Sequence, residues 1–276
     1  GGIGTIKQPK VKLGFNPLLP GFFHVPFNDV AALREAVTEK TCAILFEPVQ
    51  GEGGIHAATP EYFAAAAALR EEFDLLLLFD EVQCGAGRSG DWCGWRTVLE
   101  GSGVEVEPDA VSWAKGLGGG FPIGAFWVGE AHAGALGPGS HGSTFGGTPL
   151  ACAVALAVLD GIASGGVLEN VKRQSARIRA GAAKWSFPVV EELRGVGLML
   201  GFVLDPAEMD KVAGFAESGK TPSLFVVDAA REAGLLTVPA GETVVRWLPP
   251  LNVSDEEVDE ALALFEGVLA TLSVNQ

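Results

Sequence analysis

Leu75-Leu76-Leu77-Leu78-Phe79-Asp80-Glu81 runs five apolar residues into two carboxylates. An apolar run without polar alternation is typical of a strand covered on both faces, as in a parallel sheet between two layers of helices. A carboxylate at the end of such a strand emerges where α/β sheets bind their ligands. The same carboxylate would also suit a cap on the following turn. The segment therefore predicts a buried strand that ends in a carboxylate, and it leaves both roles open.

The residues on the N-terminal side of this strand repeat an order of helix and then strand. Thr59 is a candidate N-cap, and Pro60 fits the first turn of an Ala-rich helix that runs to about Phe73. Further upstream, Asn28 is a candidate N-cap for a helix that precedes an apolar strand at Cys42–Phe46. This alternation predicts an α/β fold with a mainly parallel sheet.

The pattern of elements changes after Pro188, and a domain boundary is expected between residues 160 and 188. Strands are predicted at 111–114 and 123–128 and helices at 150–162 and 167–185, whereas mixed short elements follow Pro188. The mixed elements are strands at 189–194, 198–204, 235–238 and 244–247, with helices at 223–232 and 255–272. We therefore predict a large domain over residues 1–165 and a smaller α+β domain over residues 166–276.

Charge and composition exclude several classes of protein. The 276 residues include 19 Lys and Arg against 34 Asp and Glu, a net charge of −15 that disfavours nucleic acid and anionic membranes as partners. No apolar run approaches the roughly 18 residues that span a bilayer. The four cysteines form no C-x-x-C pair and the four histidines are scattered, so we expect a cytoplasmic protein without a bound metal.

A lysine beside a glycine cluster is the second candidate for chemistry. The sequence Ala114-Lys115-Gly116-Leu117-Gly118-Gly119-Gly120 follows a predicted strand. A lysine that is partly desolvated there would have a lowered pKa and a free amine for Schiff-base chemistry. The alternative is an exposed lysine before a flexible loop. A pyridine-type cofactor needs both an amine and a carboxylate that keeps its ring nitrogen protonated, and Lys115 with Asp80 supplies that pair.

Four motifs in order, followed by a C-terminal signature, resemble those of one known family. They are residues 46–54 (Phe-Glu-Pro-Val-Gln-Gly-Glu-Gly-Gly), 79–90, 114–120, 141–147 (His-Gly-Ser-Thr-Phe-Gly-Gly) and 238–251. Together they resemble the class III pyridoxal-phosphate-dependent aminotransferases of the ornithine and acetylornithine type, and most of all the acetylornithine enzymes. The resemblance implies a fold-type I large domain with a smaller C-terminal domain.

The resemblance also assigns roles around the cofactor, pyridoxal 5'-phosphate. Lys115 would be the lysine that forms the Schiff base and shuttles the proton, and Asp80 would pair with the pyridinium nitrogen. Val82 would pack on the ring, and Gln83 would reach its phenolic oxygen. Ordinary apolar packing is the alternative for Val82.

Further roles concern the substrate and a second subunit. Ser143 and Thr144 would hold the cofactor phosphate of the neighbouring subunit, which implies a homodimer with shared active sites. Arg246 would bind the substrate α-carboxylate in a bidentate manner, which its planar guanidinium suits. Glu52 would pair with Arg246 while an ω-amino substrate enters and release it for 2-oxoglutarate. Thr144 as a turn cap and Arg246 as a surface ion-pair residue are the alternatives.

The implied activity is transamination of N-acetylornithine with 2-oxoglutarate to N-acetylglutamate semialdehyde and glutamate, a step of arginine biosynthesis. Ornithine, succinylornithine and 4-aminobutyrate enzymes share the motifs, so the donor stays open. The family has a further N-terminal segment, on the order of a hundred residues, that carries part of the cofactor site. Because nothing like it precedes Gly1, we expect an incomplete large domain, and an inactive homologue that acts as an interaction partner is the second alternative.

A competing motif is residues 214–221, Gly-Phe-Ala-Glu-Ser-Gly-Lys-Thr, which matches the phosphate-binding loop of nucleotide-binding proteins. Such a loop must follow a buried strand, but the residues before it are charged and helix-like. We therefore interpret Thr221 and Pro222 as the capped start of a helix.

Overall fold

The computed structural model describes residues 9–274, with side-chain environments for residues 11–273. Its α-helices are α1 Pro9–Lys12, α2 Val30–Ala36, α3 Pro60–Phe73, α4 Gly94–Leu99, α5 Pro149–Ser164, α6 Val167–Ala182, α7 Pro206–Met209, α8 Phe215–Ser218, α9 Pro222–Glu232 and α10 Asp255–Val274. Its strands are β1 Ala43–Phe46, β2 Val49–Gln50, β3 His56–Ala57, β4 Leu76–Asp80, β5 Ala110–Trp113, β6 Ala125–Val128, β7 Val190–Val196, β8 Met199–Leu204, β9 Val238–Ala240 and β10 Val244–Trp247. Two 3₁₀ helices cover Lys115–Gly118 and Glu130–Ala135.

The first sheet has the strand order β1-β4-β5-β6. The first three strands are parallel and β6 is antiparallel to β5, so the predicted α/β fold with a mainly parallel sheet is confirmed. Leu77 and Phe79 are almost completely buried, whereas Leu76 and Leu78 on the other face of β4 are half-buried, so the cover that the apolar run predicts on both faces is complete on one face only. The rings of Phe46 and Phe63 lie 5.0 and 5.4 Å from that of Phe79, in tilted and edge-on arrangements. This aromatic packing fixes the strand that ends in Asp80.

Helix α3 covers one face of this sheet and begins as the sequence predicts. The Thr59 hydroxyl accepts a hydrogen bond from the Tyr62 N–H at 3.2 Å, and Pro60 lies in the first turn. The predicted N-cap at Asn28 is wrong, because Asp29 caps α2. Asn28 instead donates to the Ala57 carbonyl and accepts from the Thr59 N–H, and it thereby joins the start of α3 to β3.

The second sheet has the order β7-β8-β10-β9 and is antiparallel throughout. All six residues of β8 are buried, and the rings of Trp247 and Phe265 lie 5.0 and 4.9 Å from that of Phe202. The sheet falls on the C-terminal side of the predicted domain boundary at residues 165/166, which itself stays a prediction. The strand predicted at 235–238 begins only at Val238, because the Leu235 N–H still bonds the Ala230 carbonyl at the end of α9.

The competing phosphate-loop motif forms no such loop. Thr221 caps α9 and its hydroxyl accepts from the Leu224 N–H at 3.4 Å, which confirms the capped helix. The Lys220 ammonium, which would bind phosphate in such a loop, lies 2.8 Å from an Asp228 carboxylate oxygen. A carboxylate at that position would repel a bound phosphate.

Over residues 9–274, no single helix has the length and hydropathy to cross a membrane. One pair of helices, Pro149–Ser164 and Val167–Ala182, meets the criteria of length and composition when taken together, with a bend of 66° between them.

Candidate active site

Asp80 is the last residue of β4 and pairs in register with Ser112 of the neighbouring parallel strand β5. Its side chain is half-buried, and its Oδ1 accepts a hydrogen bond from the Val82 N–H at 3.0 Å. That bond fixes the carboxylate at the C-terminal edge of the sheet. Asp80 therefore does form a local turn contact, as the alternative predicts, and it also stands at the edge where α/β sheets bind ligands.

Lys115 follows the end of β5 and begins a 3₁₀ helix. Its backbone has φ +44°, the left-handed region in which residues other than glycine are strained and which is frequent at functional sites. The side chain is exposed, so the described residues do not desolvate the amine in the way that the sequence analysis expects. Because β4 and β5 are parallel neighbours, Lys115 and Asp80 leave the sheet at the same edge.

The positive charge of Lys115 acts on two carboxylates of the segment after β1. Burial and the charge of Asp80 raise the pKa of Glu47, and the charge of Lys115 partly opposes that rise; the same charge adds to the lowering of the pKa of Glu52 by Arg246. The strand pairing gives the same arrangement: β1, β4 and β5 are parallel neighbours, so Glu47, Asp80 and Lys115 lie at the same edge of the sheet.

A cluster of Glu52, Gln83 and Arg246 forms the second part of this site. Arg246 lies on β10, and its Nη1 donates to Glu52 Oε1 at 2.8 Å and to Gln83 Oε1 at 3.0 Å. The Gln83 amide in turn donates to Glu52 Oε1 at 3.3 Å. The guanidinium thus reaches from the second sheet to residues that follow β2 and β4, and it joins both sheets at the site.

The burial of these groups differs strongly. The Arg246 side chain is 8% exposed, whereas the Glu52 side chain is 59% exposed. Partial burial raises the pKa of Glu52, but the hydrogen bond and charge of Arg246 lower it by more, so the net shift is downward. Within the described part of the chain, the buried Arg246 Nε has no hydrogen-bond partner. An unpaired donor on a buried cation is costly, and a carboxylate ligand would satisfy it.

Two residues of the cofactor prediction lie next to this cluster. Gln83 and Val82 are both half-buried. Gly51 packs directly against the Gln83 side chain, and a Cβ at Gly51 would overlap the Gln83 amide. The close approach requires glycine there. Gln83 is thereby held between Glu52 and Arg246, and its contact with a cofactor stays a prediction, as does that of Val82.

Glu47 is a site residue that the sequence analysis quotes within a motif but gives no role. Its Oε2 accepts from the Gly51 N–H at 3.1 Å. Burial is the main reason that the pKa of Glu47 is raised, and the charges of Asp80 and Glu52 add to it. The signal that would have found it is its place directly after β1, level with Asp80 at the end of β4, because Phe46 pairs with Phe79. Glu47 fixes the turn that leads to Glu52.

Glu81 is buried but has a structural role. Its two carboxylate oxygens accept from the Trp95 N–H at 2.9 Å and the Gly94 N–H at 2.8 Å, at the start of α4. The Cys84 thiol also donates to it at 3.2 Å. Burial raises the pKa of Glu81 against the effect of these donors. The carboxylate therefore attaches α4 to the end of β4, directly beside Asp80.

Ser143 and Thr144 lie in an exposed segment before α5. The Ser143 hydroxyl accepts from the Gly146 N–H at 2.9 Å, and the neighbouring Phe145 is 82% exposed. Their predicted contact with the phosphate of another subunit is not tested by a single chain. Among residues 9–274, no group of three or more His, Cys, Asp or Glu side chains is arranged to hold a metal ion.

The site thus combines Asp80 and Lys115 at one edge of a mainly parallel sheet with Arg246 from a second sheet. Comparison with known proteins gives the family. The family profile described as aminotransferase class-III matches residues 2–269. The chain belongs to that family.

Two relatives with high sequence identity are both acetylornithine aminotransferases. The chain is 43% identical over 274 residues to the acetylornithine aminotransferase of Caldanaerobacter subterraneus subsp. tengcongensis, covering 99% of this chain and 64% of that protein. It is 44% identical over 270 residues to the acetylornithine aminotransferase of Gloeobacter violaceus, covering 97% and 62%. The chain thus spans somewhat less than two thirds of the length of these relatives.

Solved structures agree with the fold. The N-acetylornithine aminotransferase of Stenotrophomonas maltophilia K279a matches with a TM-score of 0.78 at 36% identity, covering 92% of this chain and 64% of that one. The ornithine aminotransferase of Toxoplasma gondii ME49 matches with a TM-score of 0.85 at 29% identity, covering 99% and 62%.

Proposed function

We propose that this chain acts as a pyridoxal-phosphate-dependent aminotransferase, with N-acetylornithine as amino donor and 2-oxoglutarate as acceptor. The observation that carries the proposal is the buried Arg246, paired to an exposed Glu52 at the same site as Lys115 and Asp80. The acetylornithine aminotransferases at 43% and 44% identity support the choice of donor. The products are N-acetylglutamate semialdehyde and glutamate, which places the reaction in arginine biosynthesis.

The residues at the sheet edge fit the cofactor chemically. Pyridoxal phosphate, when bound, supplies a protonated ring that accepts electrons from the reacting carbon of the substrate. Asp80, fixed by the Val82 N–H, is the carboxylate that holds a proton at the ring nitrogen. Lys115 is the amine that binds the cofactor and moves the proton at the substrate carbon. Val82 and Gln83 would contact the ring and its phenolic oxygen.

The Glu52–Arg246 pair explains how one site accepts two different substrates. An ω-amino donor such as N-acetylornithine has no carboxylate beside its reacting carbon, so an unpaired Arg246 there would be a buried uncompensated cation. Glu52 neutralises it. The acceptor 2-oxoglutarate carries a carboxylate beside its keto group, and that carboxylate replaces Glu52 on the guanidinium. Glu52 is exposed enough to leave the site without crossing the core.

We further propose that the protein acts as a cytoplasmic homodimer. The support is the exposed segment with Ser143, Thr144 and the 82% exposed Phe145, a surface that a second subunit would cover. Ser143 and Thr144 would then hold the phosphate of the cofactor in the neighbouring site. Light scattering with and without pyridoxal phosphate tests this, and a monomer under both conditions would contradict it.

The activity itself is tested with a donor panel. Purified protein with pyridoxal phosphate and 2-oxoglutarate is offered N-acetylornithine, N-succinylornithine, ornithine or 4-aminobutyrate, and glutamate is measured. We expect the highest kcat/KM with N-acetylornithine and no product with Lys115→Ala. A preference for ornithine would reassign the donor in line with the ornithine aminotransferases among the structural neighbours. Absence of glutamate with every donor and no binding of pyridoxal phosphate would favour the alternative of an inactive interaction partner.

A further inference from the structure

The loop that carries Glu52 is fastened to the second sheet by Arg194. This residue of β7 donates to the Gly54 carbonyl twice, from Nε at 2.9 Å and from Nη2 at 2.7 Å. Its Nη2 also lies 3.0 Å from His56 Nε2. Burial and the charge of Arg194 lower the pKa of His56, which leaves its ring nitrogen free to accept. A guanidinium with several acceptors in fixed geometry is a strong anchor for a loop.

The strand register brings Arg194 and Arg246 into one row. Gly201 of β8 pairs with Arg194 on one side and with Arg246 on the other. Residues directly opposite one another in an antiparallel sheet point to the same face, so both arginines rise from the same face of the sheet. Between them Gly201 has no side chain, and this gap in the row is occupied by the loop.

Ile55 fills this gap together with Val244 of β10. Ile55 is completely buried, and a Cβ at Gly201 would lie 2.7 Å from Val244 Cγ1 and 3.0 Å from Ile55 Cγ1. A Cβ at Gly195, where φ is +116°, would lie 2.8 Å from Ile55 Cγ2. Ile55 itself has φ +59°, an outlier for a β-branched residue that persists only where its surroundings enforce it. The loop is therefore held in a strained conformation by the contacts of this row.

Each residue of this row thus contacts the loop. Arg194 binds the Gly54 carbonyl, Gly201 packs against the Ile55 side chain, and Arg246 binds the Glu52 carboxylate. Only the third contact belongs to the proposed substrate switch. We propose that Arg194 is a positioning residue for that switch: by holding Gly54 it keeps Glu52 on Arg246 and sets how strongly Glu52 competes with substrate carboxylates. This inference rests on the proposed function of Arg246 and names the residue that tunes it.

Loss of the Arg194 anchor shifts the loop towards conformations in which Glu52 has left Arg246. A ligand that needs the open state binds more tightly when that state is more populated, and a ligand that needs the closed state is disfavoured. We expect the apparent Kd for 2-oxoglutarate to fall about fivefold or more in Arg194→Met, while kcat/KM for N-acetylornithine falls by a similar factor. Since the shift acts on binding, KM for 2-oxoglutarate should change more than kcat.

The test compares Arg194→Met with Arg194→Lys and with Arg179→Met as a matched control. Arg179 donates to the Leu193 and Gly195 carbonyls of the same strand from α6, and none of its hydrogen bonds among the described residues goes to the loop itself. Binding of 2-oxoglutarate is measured by titration calorimetry without donor, and hydrogen exchange is followed in the peptide that covers residues 51–57. In Arg194→Met we expect faster hydrogen exchange in residues 51–57 and tighter binding of 2-oxoglutarate. Both values should lie between those of Arg194→Met and wild type in Arg194→Lys, and should equal the wild-type values in Arg179→Met.

Unchanged loop exchange in Arg194→Met, or an equal change in Arg179→Met, would overturn the inference. If Arg194→Met does not fold, Arg194→Gln takes its place, since a shorter amide cannot make both bonds to Gly54. Hydrogen exchange in residues 51–57 shows how firmly the loop is held against the second sheet, whether or not 2-oxoglutarate binds. Failure of wild-type protein and of Glu52→Gln to bind 2-oxoglutarate, with the exchange result as expected, would therefore refute the function of Arg246 and not the anchoring by Arg194.

Discussion

Glu52→Gln isolates the charge in the Glu52–Arg246 contact and leaves its shape intact. The amide oxygen still accepts from Arg246 Nη1, but the 8% exposed guanidinium loses its counter-ion. Breaking a fully buried pair costs about 3–5 kcal/mol, and an exposed pair contributes about 0–1 kcal/mol. Because the Glu52 side chain is 59% exposed, we expect an intermediate loss of about 1–2 kcal/mol in the free energy of unfolding at pH 7.

The assay is urea unfolding followed by tryptophan fluorescence, with and without 2-oxoglutarate. In Glu52→Gln the ligand carboxylate meets no competitor on Arg246, so ligand should restore the lost stability by mass action, about 2.7 kcal/mol at a hundredfold excess over Kd. Wild-type protein should gain less at the same concentration. Glu257→Gln, at a carboxylate whose one hydrogen bond among the described residues comes from the Ser254 N–H, is the control for loss of charge. Equal stability of Glu52→Gln and wild type, together with equal gains from ligand, would refute the reasoning.

The remaining predictions concern the ring contacts, the core and pH. Asp80→Ala should reduce single-turnover rates far more than Gln83→Ala, because only Asp80 holds the proton that makes the ring accept electrons, and equal losses would contradict these roles. Phe79→Ala should cost about 3–5 kcal/mol in urea unfolding, since Phe79 is 1% exposed and contacts three aromatic rings, and a loss below 1 kcal/mol would contradict the packing. The pKa of Glu52 is lowered from its usual 4.5, so its contribution to stability is present above that pH and lost as the pH falls through the lower folded value. The difference in melting temperature between wild type and Glu52→Gln should therefore shrink below pH 4.5, and a difference that grows there would contradict the sign.

The strands and helices around the first sheet are predictable because each is marked by residues within or next to it. A short uninterrupted apolar run favours a strand, and the Thr59–Pro60 pair marks a helix start that the structure confirms. The strand predicted at 235–238 was displaced because the helix before it ends in a hydrogen bond from Leu235 to Ala230, a backbone contact that the side-chain pattern does not encode. Asn28 has the side chain of a cap, but its amide and carbonyl are used by Ala57 and Thr59 instead.

Part of the candidate site was also predictable from local sequence. The local sequence predicts Asp80 and Lys115 each at a strand end, and the structure shows that these strands are neighbours. The resemblance pairs Glu52 with Arg246, which the structure joins at 2.8 Å. The anchor of the Glu52 loop was not predictable, because Arg194 is 140 residues from Gly54 and meets it only through the register of the second sheet. The residues next to Arg194 in the sequence do not indicate that its side chain binds a loop so far away along the chain.

Reductive labelling provides the most direct measurement of where the cofactor is held. The protein is incubated with pyridoxal phosphate, reduced with borohydride and digested, and the phosphopyridoxyl group is located by mass spectrometry. A single labelled peptide, with the group on Lys115 and its yield reduced in Asp80→Ala, is the predicted result. A label spread over other lysines, or one that avoids Lys115, would contradict the assignment of this sheet edge as the active site.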